Sequence, residues 1–443
     1  YTPPAYADGL IYAPLGNGTV QAFTATDLES VWVYSDELKG QALSPITVSD
    51  GHVYTGFWYG ETRDANFVCL NATTGELEWS YTVTGGFYWA GSVAVGDYVC
   101  VGTDDGDSGF TGNSRLLVFK KSYAENEEIR PVCSVELTGC GDQRSALTYV
   151  DGSLYFTTKG GYLCRAEIDE KTGMINGLKL SNIHAQSTST PVVYGDYVYF
   201  GTGSGISETG SSGSFVIADR KTLNIVKAVD LKGYPQCSML LSTAYEQSEG
   251  VLCFYSTYNS IPGGVTLVRV NAKDVTDVEV VELYDAKGYE QYCISSMICD
   301  KNGNLYYKND SANVICIGVS ETEYPLFDKN LSEDLIKYEP NTKADDLEIS
   351  LKPLKKGTLS LQWQSSADGE TWQNVEGATE SRLPVSTEEL GTTYFRCVAT
   401  NTDGDNAVTS VSNTATVTIK VFNRDTRPQY VINKSNAAPS TSG

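Results

Sequence analysis

Histidine, methionine and long apolar runs are all scarce in this chain of 443 residues. It contains three Met and two His, and the histidines, His52 and His184, stand 132 positions apart. This leaves little material for catalysis by histidine or for a metal centre built on His, and we expect neither. No window approaches the ~18 apolar residues that a membrane-spanning helix needs, so we also expect no insertion into a membrane.

Basic residues are in the minority as well. The chain has 32 Lys and Arg against 55 Asp and Glu, which gives a formal net charge of −23 at pH 7. No stretch of the sequence gathers Lys and Arg into a patch. Nucleic acids and anionic membranes need basic surface to neutralise their phosphates. We therefore expect no nucleic-acid partner.

The chain contains no adjacent pair of cysteines, and its 11 Cys are an odd number. Their spacing indicates neither a disulfide framework nor a zinc site. Cys69, Cys164 and Cys316 are predicted to share one position of an internal repeat, in the third strand of each unit. We expect these three, together with Cys397, to be unpaired and buried as small apolar side chains.

Tyr and Gly are abundant, at 29 and 42 residues, which suits short strands joined by tight turns. A turn that ends in Gly, followed by a short strand rich in Tyr and Val, recurs seven times along the chain. The seven glycines are Gly9, Gly51, Gly96, Gly152, Gly195, Gly250 and Gly303. Successive glycines are 42 to 56 residues apart, close to the period of roughly 40–50 residues that is typical of propeller blades.

Each unit contains a succession of short segments with strand character. In the second unit these are residues 44–48, 52–57, 66–71 and 76–83. An antiparallel four-stranded meander at this period is a propeller blade, and no sustained 3.6-residue periodicity supports a helical solenoid. The sequence predicts an all-β fold in which residues 1–319 form a seven-bladed β-propeller of four-stranded antiparallel blades. The seventh unit shows no clear fourth strand, so eight blades is the alternative.

The run from Phe67 to Trp79 contains Leu70-Asn71-Ala72-Thr73-Thr74-Gly75 and ends in Trp. It resembles the PQQ-like propeller repeat of quinoprotein dehydrogenases and outer-membrane assembly lipoproteins. Trp32 fills the Trp position of the first unit, and the resemblance extends over residues 1–319. Dehydrogenases of that kind place an adjacent Cys-Cys disulfide over the quinone. Because no such pair occurs here, we expect no PQQ, no other cofactor and no enzymatic activity.

The remaining residues predict three further segments. Residues 320–342 are acidic and without a pattern, so we interpret them as a linker. Residues 343–421 resemble the Ig-like β-sandwich modules of bacterial surface proteins, with Trp363 as the core Trp and Cys397 as the second Cys. The first Cys is absent, which excludes an inter-sheet disulfide. Residues 422–443 are rich in Ser, Asn, Pro and Ala and are predicted to be a disordered tail.

Loop lengths predict where a ligand would bind. In a four-stranded blade, the loops between blades and the loops between the second and third strands lie on one face, which we call the funnel face. These loops are long and carry a recurring Gln and several aromatic residues, whereas the opposite face has short turns. The predicted ligand-binding residues are Gln41, Trp58, Tyr88, Trp89, Gln143, Arg144, Gln186, Tyr234, Gln236, Tyr289 and Gln291.

Two interpretations of these side chains stay open. The Gln amides either bond backbone groups between blades or line a funnel, where amides and aromatic faces suit glycans or peptides better than phosphates. A weaker candidate is a Ca²⁺ site at Asp104, Asp105 and Asp107, with solvated loop carboxylates as the alternative.

Together these features predict a monomeric, non-catalytic binding or adhesion protein of a bacterial cell surface. We expect it to be exported and extracellular, without its signal peptide in this chain. A glycan, peptide or protein ligand would bind at the funnel face. The alternatives are a scaffold for the assembly of surface proteins and an enzyme with a degenerate quinoprotein-like propeller.

Overall fold

The computed structural model describes residues 2–203, 212–260, 263–285, 293–309, 313–318 and 322–421. The chain divides into two compact units, Tyr1–Gly318 and Val319–Gly443. Apart from one short helix, Glu246–Glu249, every regular element in the described part of the chain is a strand. No helix among these residues has the length and apolar character needed to cross a membrane. The predicted all-β fold is confirmed.

The first unit contains seven described antiparallel sheets in which the strand order follows the chain order. We number them blades 1 to 7; six have four strands and blade 7 has three. Blades 1 and 2 comprise Ala5–Ala7, Leu10–Leu15, Thr19–Thr24 and Ser30–Ser35, then Thr47–Ser49, His52–Gly56, Asp64–Asn71 and Leu77–Thr84. Blades 3 and 4 comprise Val93–Val95, Tyr98–Gly102, Ser114–Lys120 and Cys133–Leu137, then Thr148–Val150, Ser153–Thr157, Tyr162–Ile168 and Ile175–Asn182.

Blades 5 to 7 continue the same pattern. Blade 5 comprises Val192–Tyr194, Tyr197–Gly203, Gly213–Asp219 and Ile225–Leu231; blade 6 comprises Leu240–Ser242, Val251–Tyr258, Gly264–Asn271 and Val278–Asp285. Blade 7 comprises Ile298–Cys299, Leu305–Lys308 and Val314–Ile317. A multi-bladed propeller of four-stranded antiparallel blades is therefore confirmed, and the number of blades in the complete ring stays a prediction.

The Asp-Gly dipeptides connect the first and second strands of their blades. In blade 2, Asp50 and Gly51 both have positive φ, +51° and +78°. Asp8-Gly9 and Asp151-Gly152 repeat this geometry. Two successive positive φ angles define a turn whose twist matches that of the flanking strands. This explains why the dipeptide recurs at the same place, after the first strand, in these units.

The Trp of the repeat packs against the next blade. Trp32 Nε1 of blade 1 donates a hydrogen bond of 3.0 Å to the Ala72 carbonyl, in the turn between the third and fourth strands of blade 2. Gly75 in that turn has φ +74°, and a Cβ there would stand 2.5 Å from the Trp32 ring. Trp79 of blade 2 repeats the contact with the Lys121 carbonyl at 3.1 Å. The Thr-Gly-…-Trp motif therefore provides a contact between blades, and Gly makes room for the ring.

Sheet register corrects part of the prediction for the cysteines. None of the 11, all of which lie among the described residues, forms a disulfide, and Cys69, Cys164 and Cys397 are buried as predicted. Cys69 pairs with Tyr54, but Cys164 pairs with Phe156, which follows Tyr155, the residue of blade 4 equivalent to Tyr54. A shift of one residue turns a side chain to the other face of the sheet, so Cys69 and Cys164 do not share one position.

Cys316 was predicted to be buried and is exposed, so that prediction is wrong. It pairs with Tyr306 as Cys69 pairs with Tyr54, so these two cysteines do share a position. Its neighbour on the same face, Val314, is 73% exposed. Cys316 and Val314 therefore lie on an exposed face of blade 7, whereas Cys69 on the equivalent face of blade 2 packs in a cluster with Phe119 of blade 3.

The second unit begins earlier than predicted. Within the predicted linker, 320–342, the structure has two strands, Phe327–Lys329 and Leu335–Tyr338. The first pairs with Ser350–Leu351, and the second lies parallel to Ala415–Ile419. Leu331, between them, is buried in the same core as Trp363. This stretch is therefore an integral part of the second unit.

The main sheet of the second unit has the strand order Leu335–Tyr338, Ala415–Ile419, Gly391–Asp403, Thr358–Ser366 and Gln373–Asn374, with Asn406–Val411 paired to Gly391–Asp403. A small sheet of Leu347–Glu348 and Arg382–Leu383 completes the list of strands. Trp363 is fully buried and lies directly opposite Cys397 on the neighbouring strand. The Ig-like assignment stays a prediction, and the predicted tail, 422–443, lies outside the described residues.

Candidate functional site

Residues next to the first strands of successive blades converge on one cavity of about 70 Å³, which we call the axial cavity. Its lining comprises Thr2, Pro3, Pro45, Trp89, Arg144, Thr188, Thr190, Gln236, Cys237, Ser238, Ile294 and Ser296. These residues precede the first strands of blades 2 to 7 or belong to the N-terminal segment. Contributions from so many blades place the cavity on the axis of the propeller. Three predicted site residues, Trp89, Arg144 and Gln236, line it.

An aromatic cluster stands beside the axial cavity. The ring centroids of Trp58 and Tyr88 are 4.9 Å apart with edge-to-face geometry, and those of Tyr88 and Trp89 are 4.5 Å apart. The guanidinium carbon of Arg144 lies 4.4 Å from the centre of the Tyr88 ring, a cation–π distance. The prediction that Trp58, Tyr88, Trp89 and Arg144 lie together is therefore met by their geometry.

Trp89 has φ +58°, in the left-handed region. For a bulky side chain this conformation costs roughly 1–2 kcal/mol and persists only where surrounding contacts impose it. Its tilted ring contact with Tyr88 and its position on the cavity wall supply those contacts. Strain of this kind clusters at ligand-binding sites.

Arg144 is the centre of a buried ion cluster. Its Nη2 atom lies 2.8 Å from Asp104 Oδ2, 2.7 Å from Asp142 Oδ2 and 2.5 Å from Glu61 Oε2. The side chains of both aspartates are fully buried, and that of Arg144 is 5% exposed. The contact with Asp142 Oδ2 lacks hydrogen-bond geometry, so this oxygen has ionic contact only. The cluster fixes the guanidinium between the Tyr88 ring and three carboxylates.

Burial dominates the protonation of this cluster. It raises the pKa of Asp142 to about 7, against the opposing charge of Arg144. It also raises the pKa of Asp104 well above the usual value, again against Arg144. Burial lowers the pKa of Arg144, but the charges of Asp104 and Asp142 more than offset this, and the pKa is raised overall. Arg144 therefore keeps its charge, while burial makes both aspartates harder to ionise than an exposed Asp.

The predicted Ca²⁺ candidate does not form as one group. Asp104 is bound to Arg144, whereas Asp105 accepts hydrogen bonds from the backbone N–H groups of Asp107 and Gly112, each 2.8 Å long. Asp107 is exposed. The carboxylates of Glu61, Asp104 and Asp142 are close enough to share a cation, but the Arg144 guanidinium contacts all three. The loop carboxylates therefore shape a turn.

The four described Gln residues of the predicted set differ in their surroundings. Gln41 and Gln186 are exposed. Gln143 is fully buried, and its Nε2 donates a hydrogen bond of 2.6 Å to the Ser145 carbonyl. Gln236 Oε1 accepts a hydrogen bond of 3.1 Å from Asn259 Nδ2. Gln143 thus turns its amide into the protein, and its predicted place on the funnel wall is corrected.

Backbone pairing explains why this position recurs. Gln41 and Trp58 exchange two backbone hydrogen bonds, of 2.7 and 3.0 Å. The Gly203 N–H donates a hydrogen bond of 2.9 Å to the Gln186 carbonyl. In each case the partner belongs to the end of the second strand, or just beyond it, in the same blade. The backbone bonds of Gln41 and Gln186 therefore lie within a blade, whereas Gln143 N–H, before the first strand of blade 4, donates a bond of 3.1 Å to the Thr103 carbonyl of blade 3.

The structure does not support the prediction that the Tyr234 ring stacks on a ligand. It is 7% exposed, and its hydroxyl accepts a hydrogen bond of 2.6 Å from the Thr188 N–H. Its ring cannot offer a free face to a ligand. Tyr289 and Gln291, also predicted for this site, lie outside the described residues.

Contacts between blades rely on hydroxyl groups, which the sequence reasoning missed. Thr47 Oγ1 donates to the Ser92 carbonyl at 2.8 Å, and Thr148 Oγ1 to the Pro191 carbonyl at 2.6 Å. Ser189 Oγ continues the pattern with the Cys237 carbonyl at 2.8 Å. Ser or Thr within and immediately before the first strands was the available signal. These bonds hold the walls of the axial cavity in register.

The meander, the docking of Trp on the turn of the next blade and the converging first strands define the first unit as a PQQ-like β-propeller. Residues 16–233 match the family model described as outer membrane protein assembly factor BamB. Residues 340–421 match a model described as a domain of unknown function, DUF8696. No curated protein sequence matches the chain.

Similar solved structures include BamB from Moraxella catarrhalis, with 16% identity over 73% of this chain and 84% of that chain, at a TM-score of 0.49. The quinohemoprotein alcohol dehydrogenase ADHIIG from Pseudomonas putida HK5 is 11% identical over 68% of this chain and 61% of that chain, at a TM-score of 0.45. The Pan2 WD40 domain of Neurospora crassa is 12% identical over 72% and 90%, at a TM-score of 0.43. At these values nothing about ligand or activity follows for this chain.

Proposed function

We propose that this chain is a non-catalytic binding protein whose funnel face holds an extended segment of a partner protein. One side chain of that segment would enter the axial cavity, beside Trp89 and Arg144. The size of the cavity carries the proposal. Pockets for small molecules and cofactors measure roughly 300–1,000 Å³, and the axial cavity, at about 70 Å³, has room for only a small group. An adjoining cavity of about 340 Å³, which shares Thr2, Pro3, Ile294 and Ser296 with it, has room for the neighbouring residues of the segment.

The lining fits the polar backbone of a peptide. Hydroxyl groups of Thr190, Ser238 and Ser296 surround the cavity, together with the Gln236 amide. Such neutral groups both donate and accept hydrogen bonds, as a peptide backbone requires. Trp89 adds an aromatic face for an apolar side chain. The Arg144 guanidinium is already held by three acidic side chains, so it is not free to bind a phosphate.

The family match supports a protein partner over a glycan. The matching model is described as an outer membrane protein assembly factor. A scaffold of this kind would work in the periplasm, at the outer membrane or on the cell surface, consistent with the expected export. The proposal includes no catalytic step, because the titratable groups next to the cavity are engaged with one another.

Site-specific photo-crosslinking tests the proposal. A photoreactive phenylalanine analogue would replace Ser238, on the cavity wall, or Thr73, an exposed hydroxyl residue in a turn on the opposite face. After irradiation in bacterial cells that produce the protein, we expect protein adducts at position 238 and few at position 73. Equal adducts at both positions, or none at 238, would refute a partner at the funnel face.

A binding measurement then separates peptide from glycan. With the captured partner, Trp89→Ala should weaken binding about ten-fold, because the loss of one stacking contact is worth roughly 0.5–1.5 kcal/mol beyond burial. Thr73→Ala is the matched control and should change nothing. Binding to a glycan array that Trp89→Ala abolishes, without any protein adduct, would make the ligand a glycan.

A further inference from the structure

Three side chains with metal-binding atoms converge on one face of blade 2, at the end away from the funnel. His52, Cys69 and Glu78 belong to the second, third and fourth strands. His52 Nδ1 lies 2.9 Å from Glu78 Oε2, and Cys69 Sγ lies 3.7 Å from the same oxygen. All three donor atoms lie within 4.8 Å of one another. They supply one nitrogen, one sulfur and one oxygen.

A β-bulge brings the third residue into this group. Cys69 pairs with Trp79, but the next residue, Leu70, pairs with Leu77, so Glu78 is the extra residue on the fourth strand. A bulge of this kind redirects a side chain that regular alternation would send to the other face. Glu78 thereby contacts Cys69 and also Asn71, which lies directly opposite His52.

His52 Nδ1 is the one donor atom of the group that makes no hydrogen bond. The atom is buried and makes no hydrogen bond, although Glu78 Oε2 is 2.9 Å away. A buried nitrogen without a hydrogen bond is costly, and its nearest polar neighbours are other potential ligands. A cation between the three atoms would satisfy all of them at once.

The spacing agrees with tetrahedral coordination. Zinc binds Cys S at about 2.3 Å, His N at about 2.0–2.1 Å and carboxylate O at about 2.0–2.2 Å, so neighbouring ligand atoms stand roughly 3.3–3.6 Å apart. The observed separations of 2.9 and 3.7 Å lie on either side of this range. The third separation, between the His52 and Cys69 donor atoms, is within 4.8 Å, so closure of the group around an ion would bring these two atoms to the tetrahedral distance.

We propose that His52, Cys69 and Glu78 form a binding site for a divalent cation of the zinc type, with water as the fourth ligand. His52 and Glu78 are 20% and 29% exposed, which gives the ion a path from solvent. On binding, the Cys69 thiol gives its proton to solvent as the sulfur–metal bond forms, so one proton is released per ion. The site would tie three strands of blade 2 together beside the Lys121 turn of blade 3, where the Lys121 carbonyl lies 3.9 Å from Cys69 Sγ.

Cobalt titration of the full chain tests the site, because tetrahedral Co²⁺ bound to a thiolate gives a charge-transfer band and strong visible bands. The exposed thiols Cys299 and Cys316 would first be replaced by Ser to remove background binding. In this background we expect one equivalent of Co²⁺ to produce the bands and Zn²⁺ to abolish them. Cys69→Ser should lose the charge-transfer band. Cys164→Ser, which removes a buried third-strand thiol on the opposite face of its blade, should retain it.

Thermal unfolding provides a second measurement, which does not depend on whether the Cys69→Ser variant folds. Zn²⁺ should raise the Tm of the parent protein, because an ion that binds only the folded state stabilises it. Glu78→Gln, which changes a partly exposed side chain, should fold normally and bind Zn²⁺ at least ten-fold more weakly. Absence of the cobalt bands in the parent protein, or their persistence in Cys69→Ser, would show that the group is only a His–Glu contact beside a thiol.

Discussion

Blades 2 and 7 contain the same residue at the same position with opposite surroundings. Cys69 and Cys316 each lie opposite a Tyr on the neighbouring strand, yet Cys69 is buried and Cys316 is exposed. Cys69 belongs to a cluster with Trp79 of its own blade and Phe119 of blade 3. Val314, on the same face of blade 7 as Cys316, is 73% exposed. The next blade, and not the local sequence, decides whether a repeat position is buried.

Thiol labelling should show the largest difference between the two blades. In the native protein we expect a thiol reagent to modify Cys316 at least about a thousand-fold faster than Cys69. The buried thiol reacts only through opening events that cost several kcal/mol. Mass spectrometry of peptides after timed labelling measures both rates. Comparable rates at the two positions would show that the face of blade 7 is covered in solution.

Truncation of apolar side chains should give the next largest difference. Phe67 of blade 2 is fully buried against Trp79, Phe87 and Phe119, and Phe67→Ala should lower the free energy of unfolding by about 3–5 kcal/mol. Val314→Ala in blade 7 should change it by no more than about 0.5 kcal/mol. Denaturant titration of both variants checks this. A large loss from Val314→Ala would mean that a segment outside the described residues packs there.

Burial of a charged group should also change how the stability of the protein depends on pH. Asp142 has its pKa raised to about 7 by burial, against the usual value of 3.8. Between about pH 4 and pH 7 the unfolded chain releases a proton that the folded chain retains, so the free energy of unfolding falls as pH rises. One pKa unit is worth about 1.4 kcal/mol. We expect Asp142→Asn to remove part of this fall, up to a few kcal/mol.

The control for this pH dependence is Glu279→Gln, in the largely exposed pair that Glu279 forms with Arg269 at 3.0 Å in blade 6. It should leave the pH dependence of the parent protein unchanged. Denaturant titrations at pH 5 and pH 8 give the comparison. If Asp142→Asn showed the full pH dependence of the parent, the fall in stability would have to come from other groups.

The smallest effect concerns the turn between the third and fourth strands. Blade 2 has Gly75 there with φ +74°, whereas blade 1 has Leu28 with φ +59° at the equivalent place. Leu28→Gly should stabilise by at most about 1 kcal/mol, because relief of the left-handed strain exceeds the added chain entropy only slightly. Gly75→Ala should destabilise, since its Cβ would meet the Trp32 ring at 2.5 Å. Tm measurements check that Leu28→Gly raises the Tm and that Gly75→Ala lowers it.

Local turn chemistry made the propeller predictable. Asp-Gly dipeptides with two positive φ angles and the Thr-Gly-…-Trp motif are each read from a few consecutive residues. They mark the blade repeat even where the rest of a unit has diverged. The predicted linker failed because Phe327–Lys329 and Leu335–Tyr338 are short and gain their partners, Ser350–Leu351 and Ala415–Ile419, from distant parts of the chain.

The site was only partly predictable, because sequence gives the loop but not the direction of a side chain. Trp89 and Arg144, predicted for the funnel face, line the axial cavity, and their part in ligand binding stays a prediction. Gln143 and Tyr234 come from loops of the same kind, yet both turn inward, where Gln143 Nε2 bonds the Ser145 carbonyl and the Tyr234 hydroxyl bonds the Thr188 N–H. The ion cluster was missed because Glu61, Asp104 and Asp142 lie in three separate loops and meet only around Arg144.

The strict agreement of strand order with chain order has a consequence for synthesis of the protein. Every blade with four described strands takes all of them from one uninterrupted stretch, and in blades 2 and 4 a Thr hydroxyl bonds the blade that follows. A ribosome releasing the chain from its N-terminus can therefore complete the blades one after another, each docking on its predecessor. The growing propeller would then expose, at any moment, the uncovered side of its most recent blade.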